Sequence, residues 1–293
     1  MSKVLVLFVY HIYNKRVQHF INHCIFKDPN IDFVVISNSG TPPAYIQPYV
    51  KVFVRKNIGF DFGGWSEALL TNDFYSNYDK FIFVNSSVMG PFIKPGIIFK
   101  WTDVYLNGLK DNVKLFGSTI NTCNAPMTKS HVQSYIFSMD KETLQYLINC
   151  QIFSTSNYPK TLHDAIIDKE ILMSQKVIEN GWNIGSLMSQ YKDVDFTFRT
   201  KPLNSYSNIW LDDIMNIQNR NEYWNEYQLV FVKGNRLKID STLDLKKMDG
   251  SPSHIISRPL NKIAVNHKIS KIRMNGNIST PVKKQMKIFV GKR

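Results

Sequence analysis

Three cysteines (Cys24, Cys123 and Cys150) are all that the 293-residue sequence contains, and no two of them form a CxxC pair. Neither a disulfide framework nor a zinc site follows from that spacing, and a reducing, cytoplasmic setting is expected. No run of 18 apolar residues occurs, which argues against a membrane-spanning helix. The apolar N-terminal stretch lacks a small-residue cleavage site and reads as a buried first strand rather than a signal peptide. Also missing are GxGxxG at the first strand-to-helix turn, GxxxxGK[ST], HExxH and GxSxG. Their absence removes the dinucleotide, P-loop, zinc-protease and serine-hydrolase readings in turn. No internal repeat is present.

What charge there is lies unevenly. The formal net charge is +13, yet residues 241–293 hold 12 Lys or Arg against Asp244 and Asp249 alone. The first 240 residues are therefore close to neutral, and an anionic partner would belong to the tail. The expected division is a globular domain over 1–240 and a basic, partly ordered tail over 241–293. Peripheral contact with an anionic membrane is the partner expected for that tail. No specific nucleic acid is expected, because the body carries no basic stripe.

Hydrophobic residues make up 43% of the chain, enough for a substantial core. Continuous apolar runs at Lys3–Ile12 and Ile31–Gly40 read as strands buried on both faces. Shorter strands are expected at Val50–Val54, from Tyr78 into Asn85, at Val113–Asn121, within His131–Asp140 and at Tyr227–Arg236. Helical spacing follows the first strand (Val17, Phe20, Ile21, Cys24) and recurs at Gly64–Phe74 and Lys141–Phe153. A longer helix runs from Thr161 and should stop near Asn180-Gly181. Alternation of this kind predicts an α/β fold with a mostly parallel sheet flanked by helices.

Ligands in such folds sit beyond the carboxyl ends of the strands. The polar residues cluster at those ends: His11, Asn38, Asn57 through Gly64, and Asn85-Ser86-Ser87. In "VRKNIGFDFGGW", Gly59, Gly63 and Gly64 mark close backbone approach, and Asp61 reads either as a ligand group or as a helix cap.

The ordered set "NIGFDFGGW", "FIFVNSSVMGPF", "LFGSTIN", "HVQSYIF", "KEILMSQKVIENGWNI" and "FVKGNR" resembles the rhamnan-synthesis protein F group of glycosyltransferases and related viral and bacterial capsule enzymes. The resemblance spans roughly residues 3 to 236. It implies a GT-A-like, Rossmann-like fold and transfer of a sugar, rhamnose or another hexose, from a nucleotide donor (UDP-, dTDP- or GDP-linked) to a glycan or glycoprotein acceptor. By that resemblance, Asn57, Gly59, Asp61, Gly63 and Gly64 cradle the donor, with His11, Asn38, Asn85, Ser86, Ser87, His131 and Gln133 around it. Where related enzymes place Asp-X-Asp, this sequence has Asn85-Ser86-Ser87. A divalent Mg or Mn would then rest on Asp61 and Ser87, or be replaced by Lys233 and Arg236, with Lys56 a third candidate. Glu170 stands at the position of the catalytic base and Lys176 at that of a basic residue, with Asp168 and Asp164 as alternatives. The reading is an inverting transferase. Its rival is a catalytically silent carbohydrate-binding protein that kept the fold.

Overall fold

The computed structural model describes residues 2–122, 126–207, 209 and 213–234. Cys123, Trp210, Arg236 and the basic tail 241–293 lie outside the described residues. Cys24 and Cys150 are free thiols.

The first apolar run forms β1 (Val4–Tyr10), buried at all seven positions. Its side chains alternate between two cores. Leu5, Leu7 and Val9 face one, while Val4, Val6, Phe8 and Tyr10 face the other, as expected of a strand covered on both sides. Then come β2 (Ile31–Ser37), β3 (Lys51–Val54), β4 (Lys80–Asn85), β5 (Val88–Met89), β6 (Val113–Gly117), β7 (Ile120–Asn121), β8 (His131–Val132), β9 (Ile136–Asp140), β10 (Asn183–Ser186) and β11 (Val232–Lys233). Seven of these make one sheet in the order β10-β6-β9-β4-β1-β2-β3. Only β9 runs against the others, antiparallel to both β4 and β6. The mixed, mostly parallel sheet expected from the sequence is therefore present. Succession reverses at β1, which has β2 on one side and β4 on the other. That is a topological switch point, and its crevice opens at the carboxyl ends of β1 and β4.

Helices α1 (Lys15–His19), α2 (Phe60–Leu70), α3 (Trp101–Asn107), α4 (Pro126–Lys129), α5 (Lys141–Asn149), α6 (Leu162–Asp164), α7 (Leu172–Glu179) and α8 (Glu226–Leu229) complete the frame. Trp65 and Leu69 of α2, Leu144 and Leu147 of α5, and Met173 and Val177 of α7 enter one core. Val17 of α1 and Trp101 and Tyr105 of α3 enter the other.

Several boundaries differ from expectation. The helix α2 starts at Phe60, four residues before Gly64, because Gly59 takes a left-handed N-cap conformation (φ 74°). Gly63 and Gly64 thus lie inside the helix. A Cβ on Gly63 would stand 2.1 Å from the Ile58 carbonyl oxygen, and one on Gly64 would stand 2.9 Å from a Val9 methyl. The close approach at this junction is therefore made by the chain's own backbone and β1. The expected strand Tyr227–Arg236 is mostly absent: α8 takes its start, capped by the Asn225 side chain, and β11 keeps two residues. Val113–Asn121 breaks after Gly117, and His131–Asp140 splits into β8 and β9. The helix from Thr161 is not continuous either. Residues Ala165–Ile171 form a π-helix between α6 and α7, a distortion often found at functional sites. Its end is as expected: Gly181 (φ 84°) bonds Ile178, and Trp182 bonds Val177, which together make a Schellman stop.

Candidate functional site

The site is built by the first turn of α2, which lies across the carboxyl ends of β1, β2 and β4. On one side, Asn38 at the end of β2 donates from Nδ2 to the Phe60 carbonyl (3.0 Å) and to Asn57 Oδ1 (3.3 Å). Asn57 Nδ2 in turn meets His11 Nδ1 at 3.2 Å. Arg55 is buried beneath this chain. It donates to Asn38 Oδ1 (2.9 Å), the Ile58 carbonyl (2.7 Å) and Glu67 Oε1 (2.5 Å). Tyr158 OH donates to the same Glu67 oxygen at 2.7 Å. The Arg55 bond, helped by Tyr158, holds the Glu67 carboxyl below its usual range against the opposing effect of burial. The two Arg55 Nη groups, tied to three acceptors, fix the geometry here, while its Nε is buried without a partner among the described residues. The structure thus brings His11, Asn38 and Asn57 together.

On the other side, Asp61 accepts a hydrogen bond from Asn85 Nδ2 (3.1 Å). It makes no capping bond to α2, which settles the sequence ambiguity against a cap. Burial pushes its carboxyl up to about 6; the Asn85 bond opposes this, Glu170 reinforces it, and Lys233 counters it. Glu170, carried by the π-helix, accepts from the Ser134 backbone N–H (2.9 Å) and from the Ser134 hydroxyl. Its other oxygen lies 3.5 Å from His131 Nε2. His131 Nδ1 donates to the Lys129 carbonyl (2.6 Å), since a carbonyl only accepts. Burial would raise the Glu170 carboxyl, but His131, Lys233 and Ser134 together hold it down at about 2. The two carboxylates are thus driven apart, Glu170 held low and Asp61 raised, in part by the Glu170 charge.

The cations come from either flank. Lys233 acts on both carboxylates. Its strand β11 pairs antiparallel with β5, placing Lys233 opposite Val88, and Gly234 N bonds the Ser87 carbonyl at 2.7 Å. Arg16 of α1 donates from Nε to the Ser86 carbonyl at 3.2 Å. Asn85 itself is turned with its nitrogen toward Asp61, while its Oδ1 accepts from Ser87 N at 2.9 Å. Asp61 is the carboxylate bonded to Asn85, and no group of three His, Cys, Asp or Glu that could hold a metal occurs among the described residues. That donor set is a poor fit to Mg or Mn, which need several oxygen ligands.

Other expected residues fall elsewhere. Asp168 is exposed on the π-helix. Asp164 closes a capping box with Thr161 (3.0 and 3.1 Å). Lys176 pairs with Glu179 at 2.7 Å on the surface of α7, and Lys56 is exposed. His131 and Gln133 serve different partners: Gln133 Oε1 accepts from Thr119 at 2.9 Å. Sequence reasoning missed Arg16, Arg55 and Ser134. A basic residue at the end of an apolar strand could have flagged Arg55, and Ser134 sits inside the quoted "HVQSYIF". Nothing in the sequence pointed to Arg16.

Fold and site together define an α/β protein with an acid–base and cationic cluster at a sheet switch point. The description Rhamnan synthesis protein F matches residues 33–234, and the chain belongs to that family. Membership supports a glycosyltransferase-type function. No curated protein matches the sequence. Among solved structures, a cytidylyltransferase from Leptospira borgpetersenii serovar Hardjo-bovis (strain JB197) is similar at 13% identity, covering 67% of this chain and 78% of its own, with a TM-score of 0.32. The apo structure of WbbM, a bifunctional glycosyltransferase, is similar at 14% identity over 52% of this chain and 33% of its own, with a TM-score of 0.29. Scores this low do not establish a shared fold.

Proposed function

We propose that the protein is an inverting glycosyltransferase of GT-A type that moves rhamnose or another hexose from a nucleotide-sugar donor (UDP-, dTDP- or GDP-linked) to a glycan or glycoprotein acceptor. The observation that carries this reading is the meeting of Asp61 and Glu170, brought from distant parts of the chain and held at opposite ends of the carboxylate range, beside Lys233. Family membership supports it.

In the proposed reaction an acceptor hydroxyl loses its proton to a carboxylate as its oxygen attacks the anomeric carbon. The bond from that carbon to the diphosphate breaks, and the electron pair leaves with the phosphate oxygen. Efficient general bases titrate near the operating pH. Glu170 has both oxygens engaged and is held at about 2, which makes it a weak base. Asp61 has one oxygen bonded by Asn85 and sits at about 6. The proposed base is therefore Asp61, and Glu170 becomes a positioning residue that fixes His131 and Ser134. Lys233 and Arg16 offset the charge developing on the diphosphate, and His11, Asn38 and Asn57 offer hydrogen bonds to donor hydroxyls. Among the described residues no helix is long and apolar enough to cross a membrane. A cytoplasmic enzyme with its tail on an anionic membrane surface is the accompanying proposal.

The test is a thermal-shift series with UDP, dTDP, GDP and their sugars. A ligand present at about 100 times its Kd should stabilise the protein by roughly 2.7 kcal/mol. Silence across all three nucleotides would refute the reading.

A further inference from the structure

A depression of about 540 Å³ lies away from the carboxylate cluster, lined by Tyr13, Gln18, Asn22, Ala44, Tyr45 and Gln47. Its walls come from Tyr13 before α1, from α1 itself, from the π-helix Phe20–Cys24 that continues it, and from the loop beyond β2. Two phenol rings and three carboxamides line it, with no charged side chain. Flat rings present faces on which the C–H side of a pyranose can lie, and carboxamides offer donor and acceptor together to vicinal hydroxyls. A phosphate-bearing ligand would instead call for a cation.

The pocket is also held in shape. The Tyr13 ring stands edge-on to the buried Tyr10 ring, with centroids 5.8 Å apart and planes at 76°. Gln47 Nε2 donates to the Ile21 carbonyl at 2.8 Å, which fixes the orientation of the amide. Its Oε1 is a buried acceptor without a partner among the described residues. Tyr45 is 62% exposed, so its ring face is open to a ligand. Arg16 and Gln18 are about 200° apart around the helix at 3.6 residues per turn. Arg16 points to Ser86 of the cluster, so the pocket occupies another flank of the same segment.

We propose that this pocket is a second saccharide site, which binds an uncharged oligosaccharide segment independently of the transfer cluster. The proposal does not require the transferase reading, because it rests on walls that share no residue with the carboxylates or cations. An enzyme that lengthens a polymer would gain from such a site a hold on the chain away from its growing end.

The experiment uses the full chain against an array of neutral oligosaccharides that includes rhamnose and mannose trisaccharides, followed by titration of the binders. A neutral oligosaccharide should bind, with affinity falling at least tenfold in Tyr45→Ala and staying within about twofold in Tyr45→Phe, which keeps the ring face. Lys233→Ala should leave that affinity unchanged. The proposal is overturned if no neutral oligosaccharide binds, or if Tyr45→Ala binds as well as the parent. It is equally overturned if binding is lost in Lys233→Ala instead, since the saccharide would then occupy the cluster. Tyr45-dependent binding of uridine or thymidine in preference to saccharides would make this a nucleoside pocket and would also overturn it.

Discussion

Replacing Asp61 with Asn should make the protein more stable at neutral pH while stopping its chemistry. The Asp61 carboxyl sits at about 6 in the folded chain, against roughly 3.9 for an unperturbed aspartate. An acid raised on folding binds its proton more tightly in the native state. Its contribution is therefore most favourable below about pH 4 and is lost as pH rises toward about 6. Above that window the ionised, desolvated carboxylate costs about 3 kcal/mol, at 1.36 kcal/mol per pKa unit, as an upper bound for a half-buried group. An Asn side chain keeps an oxygen for the Asn85 bond and carries no charge. For a domain of this size the gain corresponds to roughly 6–12 °C in Tm. Thermal unfolding of Asp61→Asn and the parent, followed by circular dichroism from about pH 4 to about pH 8, reads the difference directly. The gain should be present at neutral pH and vanish toward about pH 4. A variant less stable than the parent at neutral pH, or a difference independent of pH, would refute the assignment of a strained, functional Asp61.

Glu170 should behave in the opposite sense. Its carboxyl is lowered to about 2, so its stabilising contribution is present above roughly pH 4.3 and lost as pH falls through about 2. Glu170→Gln should unfold at lower urea concentration at neutral pH, and a midpoint equal to that of the parent would contradict a stabilising role for its contacts with His131 and Ser134. Gly63→Ala should be destabilising by at least about 2 kcal/mol, because a Cβ 2.1 Å from the Ile58 carbonyl oxygen forces the turn apart; an unchanged urea midpoint would count against the helix start at Phe60. Lys233→Ala should weaken a nucleoside diphosphate about tenfold or more, the worth of one charge-assisted contact, while leaving the affinity of the free nucleoside unaltered in the same calorimetric titration.

Much of the fold is legible in the sequence, because burial on both faces writes itself as continuous apolar runs. The segments β1 and β2 are read directly from "KVLVLFVYHI" and "IDFVVISNSG". Periodicity fails where local and tertiary terms compete. "YQLVFVKGNR" has the composition of a strand, yet Asn225 caps a short helix over its start and only Val232–Lys233 find a partner. The π-helix at Ala165–Ile171 is invisible to a 3.6-residue pattern, although it carries Glu170 to Ser134. Gly63 and Gly64 are correctly marked as points of close approach, but what approaches is Ile58, Val9 and Asn38. At the site itself, Asp61, Asn85, His131, Glu170 and Lys233 could be named from motifs in order. That Glu170 lies close enough to Asp61 to raise its carboxyl depends on the tertiary fold, which pairwise spacing does not encode. Arg16 reaches the Ser86 carbonyl across 70 residues of sequence, a contact that no local pattern encodes.

The central claim is that the carboxylate–lysine cluster at the switch point transfers sugar from a nucleotide. The most direct measurement is release of nucleoside diphosphate from UDP-, dTDP- and GDP-linked hexoses with a glycan acceptor, together with the anomeric configuration of the product. The account predicts consumption of one donor, inversion at the anomeric carbon, and a rate reduced by about 10²-fold or more in Asp61→Asn, a variant that still folds. Undiminished transfer by Asp61→Asn, or no consumption of any of these donors by the parent protein, would contradict it.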